Sequence, residues 1–339
     1  MKASDQKISK RQRVINAITW QSNDYAPHNL HLMQEMRAKL IAYMSDPQYM
    51  DKVDNHIVVE DMMEEIVEIR PGFFRDEFGV VWNRTGADKD IGVVDRDLIA
   101  DIEKLDEYIF PPVDEAAIRA KLARLAASEG ERFRVADLGF TLFERAWTLC
   151  GMENTLCWMI EEPALMHRLL QKIHERNMIV IRIAMEYDID AFQLGDDWGQ
   201  QQGLIMGPTH WRAFMKPYVA EEYACIRDHG KFVIQHSCGD LREIMDELIE
   251  MGLNVYQTFQ PEIYGLDYAQ KLENRLTIWG GISTQADLPY KTPEEIKEVT
   301  RKTLAAFAKG GLIAAPTHDV PADVPPENLV AMLEVLRNS

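Results

Sequence analysis

The sequence predicts an α/β protein, a single (β/α)8 TIM barrel over residues 1–339 with an N-terminal helical extension. Two observations carry that expectation and a third locates its working end. After residue 130, short apolar runs alternate with helical patterns six times, as in a parallel sheet joined by crossover helices. No Gly-x-Gly-x-x-Gly or Walker loop follows an early strand, which argues against a nucleotide-binding open sheet, and no repeat, low-complexity tract or Gly/Ser linker divides the chain. Polar residues gather at the C-terminal ends of the predicted strands, the face where barrels build their active sites.

Taken in order, residues 1–20 begin polar and turn helical, with Val14, Ile15, Ala17, Ile18 and Trp20 giving a mixed apolar face. Residues 24–30 read as a turn and a short extended segment, and 33–44 as a helix. The stretch 61–69 looks helical, and 78–86 reads as a strand and hairpin. Pro111 and Pro112 close a loop before an amphipathic helix over 115–129. Then come a strand over 132–139, helices over 144–159 and 163–187, a strand over 191–197 and a helix over 208–228 interrupted by Pro217. The run 231–240 is a strand, followed by a helix over 241–251. Strands follow at 254–259, at 276–281 before a helix from Pro293, and at 311–315. A last helix over 326–337 is introduced by Pro325 and Pro326.

With 55 acidic against 37 basic residues, the 339-residue chain carries a formal charge of −18. Such a surface repels phosphate backbones and anionic membranes, which excludes nucleic acid and a membrane surface as partners. Four irregularly spaced cysteines suggest no disulfide framework, and the polar start has no apolar signal core, so a cytoplasmic protein is expected.

The stretch 231–240, KFVIQHSCGD, stands out among the strand ends. Side chains alternate along a strand, so His236 and Cys238 share a face while Ser237 takes the other. Imidazole and thiolate side by side are half of a zinc site; one packed histidine and one buried thiol would give the same pattern. The strand 191–197 ends in Asp196 and Asp197, of which one faces the barrel mouth, as a catalytic carboxylate or fourth ligand. A carboxylate capping the next helix reads equally well. Asp137 would pair with an arginine of a neighbouring strand. Trp82, Trp147, Trp198 and Trp279 could wall a pocket or simply pack. Gln257, Ser283 and His318 with Asp319 complete the strand ends, and His28 and His31 end the first extended segment.

Several of these pieces resemble the uroporphyrinogen decarboxylase superfamily, and in particular its zinc- and corrinoid-dependent methyltransferases. Arg11-Gln-Arg-Val-Ile-Asn-Ala-Ile18 with Asp24-Tyr-Ala-Pro27 resembles the opening helix and Asp-x-x-Pro turn. Gly195-Asp-Asp-Trp-Gly199 with Pro208 and Trp211-Arg-Ala-Phe-Met-Lys-Pro217 resembles the mid-barrel signature. Gln235-His-Ser-Cys-Gly-Asp240 resembles the His-x-Cys-Gly strand, and the run 317–328, THDVPADVPPEN, the final strand and its Pro-Glu-Asn helix start. The decarboxylases' Arg-Gln-Ala-Gly-Arg segment, which holds substrate propionates, has no counterpart in residues 28–35, HNLHLMQE.

The resemblance implies zinc held by His236, Cys238 and His318, with the last in place of the usual cysteine. It implies a methyltransferase moving a methyl group between a small methylated donor or a thiol and a corrinoid carried by a partner protein. Asp196 and Asp197 are then the catalytic candidates, Trp198, Gln257 and His28 the substrate-binding ones, and a homodimer is a further expectation. A metal-free carboxy-lyase and a non-catalytic corrinoid- or tetrapyrrole-binding protein are the rival readings.

Overall fold

The strand that ends in His236 has a same-direction neighbour on each side, Ile234 standing opposite Gln193 on one flank and Val255 on the other. In this computed structural model, which describes residues 8–64, 66–86 and 92–338, that pattern extends to seven parallel strands. They follow chain order: β1 (Ile57–Asp61), β2 (Phe133–Leu138), β3 (Ala191–Gly195), β4 (Phe232–His236), β5 (Val255–Phe259), β6 (Thr277–Ile282) and β7 (Leu312–Pro316). The short extended segment 27–30 takes the eighth place. Ala314 N–H donates to Pro27 O at 2.8 Å and Asn29 N–H to Ala314 O at 3.1 Å, while on the other flank His56 N–H donates to His28 O at 3.1 Å. These bonds join the two sheet edges, and the sheet closes as an α/β barrel.

Pairing register decides which side chains meet inside. Ile57, Phe133, Ala191, Ile234, Val255, Trp279 and Ile313 form an inner apolar cluster together with Val14 and Ile18. The last two belong to the helix Lys10–Ile18, capped by Ser9, whose Oγ accepts from Gln12 N–H at 3.2 Å. Ala17 O of that helix accepts the Thr277 hydroxyl at 3.1 Å, at the start of β6. The N-terminal helix therefore stops the lower end of the barrel, and only the upper end is open to polar chemistry.

Three expected elements come out differently. The described residues of the stretch 61–69 are not helical: they hold the end of β1 and the start of Val67–Arg70, which joins Phe73–Arg75, Val81–Asn83 and Val93–Val94 in an antiparallel sheet. β-Branched Val67 and Ile69 suit a strand, and Gly72 at φ 75° makes the turn into the next one. The helix expected over 144–159 is two, Phe143–Cys150 and Met152–Glu161, parted by Gly151 at φ 83°, where a Cβ would lie 2.7 Å from Asp97 Oδ2. Before Pro217, which has no N–H to give, the chain widens into a π-type turn over Trp211–Met215 and then continues as Lys216–Asp228. Among the described residues no helix is long and apolar enough to cross a membrane.

Candidate metal centre

β4 delivers His236 to the upper rim, and strand alternation continues for two residues beyond it. Ser237 turns away from the mouth and is fully buried, its Oγ accepting the Trp198 N–H at 3.0 Å. Cys238 turns back toward the mouth, its own N–H donating to Asp197 Oδ1 at 2.8 Å. Gly239 follows at φ 83°, where a Cβ would sit 2.2 Å from the Gly199 carbonyl carbon, so this turn accepts no side chain. His318 arrives from the turn after β7. One donor atom each from His236, Cys238 and His318 lies within 4.8 Å of the others, and the two imidazoles meet edge to face at 5.5 Å.

The neighbours orient this set. His236 Nδ1 is hydrogen-bonded to Gln257 Oε1, which fixes the ring and leaves Nε2 facing the mouth, 3.5 Å from Asp197 Oδ1. A histidine ligand whose second nitrogen is held by a polar partner is the usual arrangement at zinc. His318 Nδ1 accepts the Asp319 N–H at 2.8 Å, a local bond that ligation through Nε2 would displace, since that tautomer carries its proton on Nδ1. Imidazole, thiolate and imidazole are donors zinc accepts, and three of them leave a position for substrate, so the residues fit that ion. Gln257→Leu is expected to weaken zinc binding about 10–100-fold, read by competition with a chromophoric chelator.

Charge is concentrated here. Burial disfavours the imidazolium of His236, but hydrogen bonding to Cys238 and the charge of Asp197 outweigh it and raise its pKa to about 10. Burial pushes the Cys238 thiol up, yet its bonds to His236 and His318 bring the balance below the usual thiol value. In the metal-free protein these bonds favour an imidazolium at His236 and ease loss of the Cys238 proton. Glu144, at the start of Phe143–Cys150, is driven well above the usual carboxylate range by burial and then by Asp197 and Asp196. Asp137 is raised to about 7, chiefly by burial and next by Asp61.

The sequence-derived site residues divide. Asp197 faces the cluster. Asp196 does not: fully buried, it accepts the Phe143 N–H at 2.9 Å, the Glu144 N–H at 2.7 Å and Trp198 Nε1–H at 2.6 Å, and so caps a helix. Burial raises its carboxyl to about 7 against those three donors. Trp198 is 1% exposed and packs edge to face on Trp211, so it belongs to the core rather than to a substrate surface. Gln257 reaches the mouth, but through His236. His28 points outward from the barrel, its Nε2 3.1 Å from Val53 O and its ring against His56 at 4.6 Å. Asp137 pairs with no arginine but accepts from Gln193 Nε2 at 2.9 Å.

Two residues went unremarked in the sequence, Gln193 and Asn29. Both line a cavity of about 180 Å³ in the upper lumen, with Asp137, His236, Trp279 and His318. Gln193 was visible as the one polar residue on the inward face of β3; Asn29 gave no signal beyond its place next to His28. A second cavity, of about 720 Å³, lies over β1 and the antiparallel sheet, with Trp82, Phe140 and Arg145 in its wall.

Comparison with known proteins agrees with this barrel. The uroporphyrinogen decarboxylase (URO-D) family model matches residues 90–339. The uroporphyrinogen decarboxylase of Chlorobaculum tepidum is 26% identical over 256 residues, covering 70% of this chain and 69% of that protein. The enzyme of the same name from Chlorobium limicola is 28% identical over 262 residues, with the same coverage. Among solved structures, a methyltransferase from Methanosarcina mazei superposes with a TM-score of 0.71 at 15% identity, over 98% of this chain and 99% of that one, which is a likeness of fold. The chain belongs to the uroporphyrinogen decarboxylase family.

Proposed function

We propose that the protein moves a methyl group between a small methylated compound, or a thiol, and a corrinoid carried by a partner protein. Zinc held by His236, Cys238 and His318 is the Lewis acid of this reading. The observation that carries it is the meeting of those three donors, from two strand ends some eighty residues apart, at the open end of the barrel. Zinc in that set would polarise the oxygen of a methyl ether or hold a thiol as its thiolate.

The chain's own residues prepare that site. Gln257 keeps His236 Nε2 turned to the mouth, and Asp197 fixes the Cys238 backbone through its N–H. Glu144, whose carboxyl accepts the Asp197 N–H and is driven well above the usual carboxylate range by burial, is the candidate proton source for a departing oxygen. The solved methyltransferase of similar fold fits this reading, although fold by itself does not carry chemistry.

The shared name of the two bacterial relatives favours a second reading, a carboxy-lyase without metal. Against it, no arginine or lysine lines the upper lumen, and residues 28–35 bring none to hold a carboxylated substrate. The two are separated by incubating zinc-loaded protein with cob(I)alamin and methylated donors. Appearance of the methylcob(III)alamin absorbance, lost on chelation and restored by zinc, is expected. Carbon dioxide release from a carboxylated substrate by the chelated protein, with no alkylation of cobalt, would select the lyase.

A further inference from the structure

The upper lumen contains hydrogen-bonding capacity that the protein itself does not use. Asn29 is 2% exposed, and neither its Nδ2 nor its Oδ1 has a partner in the protein. Gln193 is 8% exposed; its Nε2 is spent on Asp137, and its Oε1 has no partner. Asn29 faces the lumen because His28 bridges Ala314 with its ring turned outward, and alternation sends the next side chain in. Leaving a buried donor or acceptor unsatisfied costs about 1–3 kcal/mol each. Three such atoms around one cavity beside the metal cluster mark a place whose hydrogen-bond partners come from outside the chain.

Size and charge narrow what can sit there. The cavity measures about 180 Å³. A cavity of about 150 Å³ accommodates benzene, so the occupant has roughly five to eight heavy atoms. No lysine or arginine lines it while Asp137 and Asp319 do, so a carboxylate, sulfonate or phosphate would be stripped of water beside like charges, at a cost of several kcal/mol. A quaternary ammonium calls for several aromatic faces, and of the carbocyclic aromatics among the described residues only Trp279 lines this cavity. A hydroxyl suits the orphaned groups, since it can donate to Gln193 Oε1 while accepting from Asn29 Nδ2.

Building on the methyl-transfer reading, we infer that the upper lumen seats the uncharged, hydroxyl-bearing end of a small methylated substrate, with Asn29 and Gln193 as its hydrogen-bond partners. The methyl-bearing end then points up toward His236, Cys238 and His318. The substrate class is a small methoxy alcohol rather than a methoxy acid or a methylated quaternary amine.

The test is calorimetric titration of the zinc-loaded full chain with 2-methoxyethanol, methoxyacetate and choline. The alcohol is expected to bind at least about tenfold more tightly than either charged compound, and at least about tenfold more weakly to Gln193→Leu and Asn29→Leu. Comparable binding of methoxyacetate or choline, absence of alcohol binding, or undiminished binding by folded variants overturns the assignment. The ligand comparison on the unaltered protein needs neither variant to fold. Zinc content of the same samples keeps the two readings apart. Protein that takes up no zinc on loading and yet prefers the alcohol defeats the metal reading alone, and zinc-loaded protein without that preference defeats the lumen assignment alone.

Discussion

Replacing Cys238 with alanine is expected to lower zinc from near one ion per chain to below about a tenth of that, and methyl transfer by at least about 10³-fold. The cluster offers three side-chain donors, and Cys238 is the only thiolate among them. Two imidazoles on a rim facing Asp197 make a weak site by comparison. The variant should still fold, because Cys238 is not part of the apolar core and its N–H bond to Asp197 is made by the backbone. Elemental analysis after dialysis against a weak chelator reads the first effect, and cobalt alkylation the second. Retention of stoichiometric zinc by Cys238→Ala would remove this centre from consideration.

Zinc binding also has a pH dependence whose sign follows from the cluster. Folded His236 holds its proton to about pH 10, whereas Cys238 has given its proton up below the usual thiol range. Zinc must therefore displace at least the His236 proton in the neutral range. Apparent affinity should rise by about tenfold or more per pH unit between roughly pH 7 and 9, and level off above the His236 pKa. Chelator competition at several pH values reads this slope. A flat profile would mean that His236 is not a ligand.

Replacing Asp196 with alanine should act on folding. Three N–H groups, from Phe143, Glu144 and Trp198, would lose their acceptor at a site with no access to water. At about 1–3 kcal/mol for each orphaned donor, the loss is roughly 3–9 kcal/mol, a large share of the about 5–15 kcal/mol that holds a typical domain folded. Asp196→Asn keeps one acceptor oxygen and should lose less. Urea denaturation followed by circular dichroism measures both. An Asp196→Ala protein with an unchanged midpoint and no methyl transfer would return Asp196 to the catalytic role that its place at a strand end suggested.

The contrast between Asp196 and Asp197 shows where reading the sequence stops. Alternation along β3 required one of the two to face the mouth, and nothing local said which. The decision came from the helix Phe143–Cys150, whose first N–H groups meet Asp196, and from the Trp198 indole. Trp198 and His28 turn away from the lumen for the same reason. Position at a strand end is visible in the sequence, but the direction of a side chain past that end depends on what packs against it. The helix expected over 61–69 failed differently, since its β-branched residues found strand partners in a sheet that local periodicity does not announce.

By itself the sequence determined the alternation of strands and helices, and the pairing of His236 with Cys238 on one face, because both follow from periods of 3.6 and 2 within single elements. Only the tertiary structure decided that His318 joins them, that Gln257 holds His236 in place, and that Asn29 and Gln193 line one cavity. Those contacts span tens to hundreds of residues and depend on the register of each strand against its neighbours. A shift of one residue would exchange the lumen face for the outer face, and no property of a single segment fixes that register.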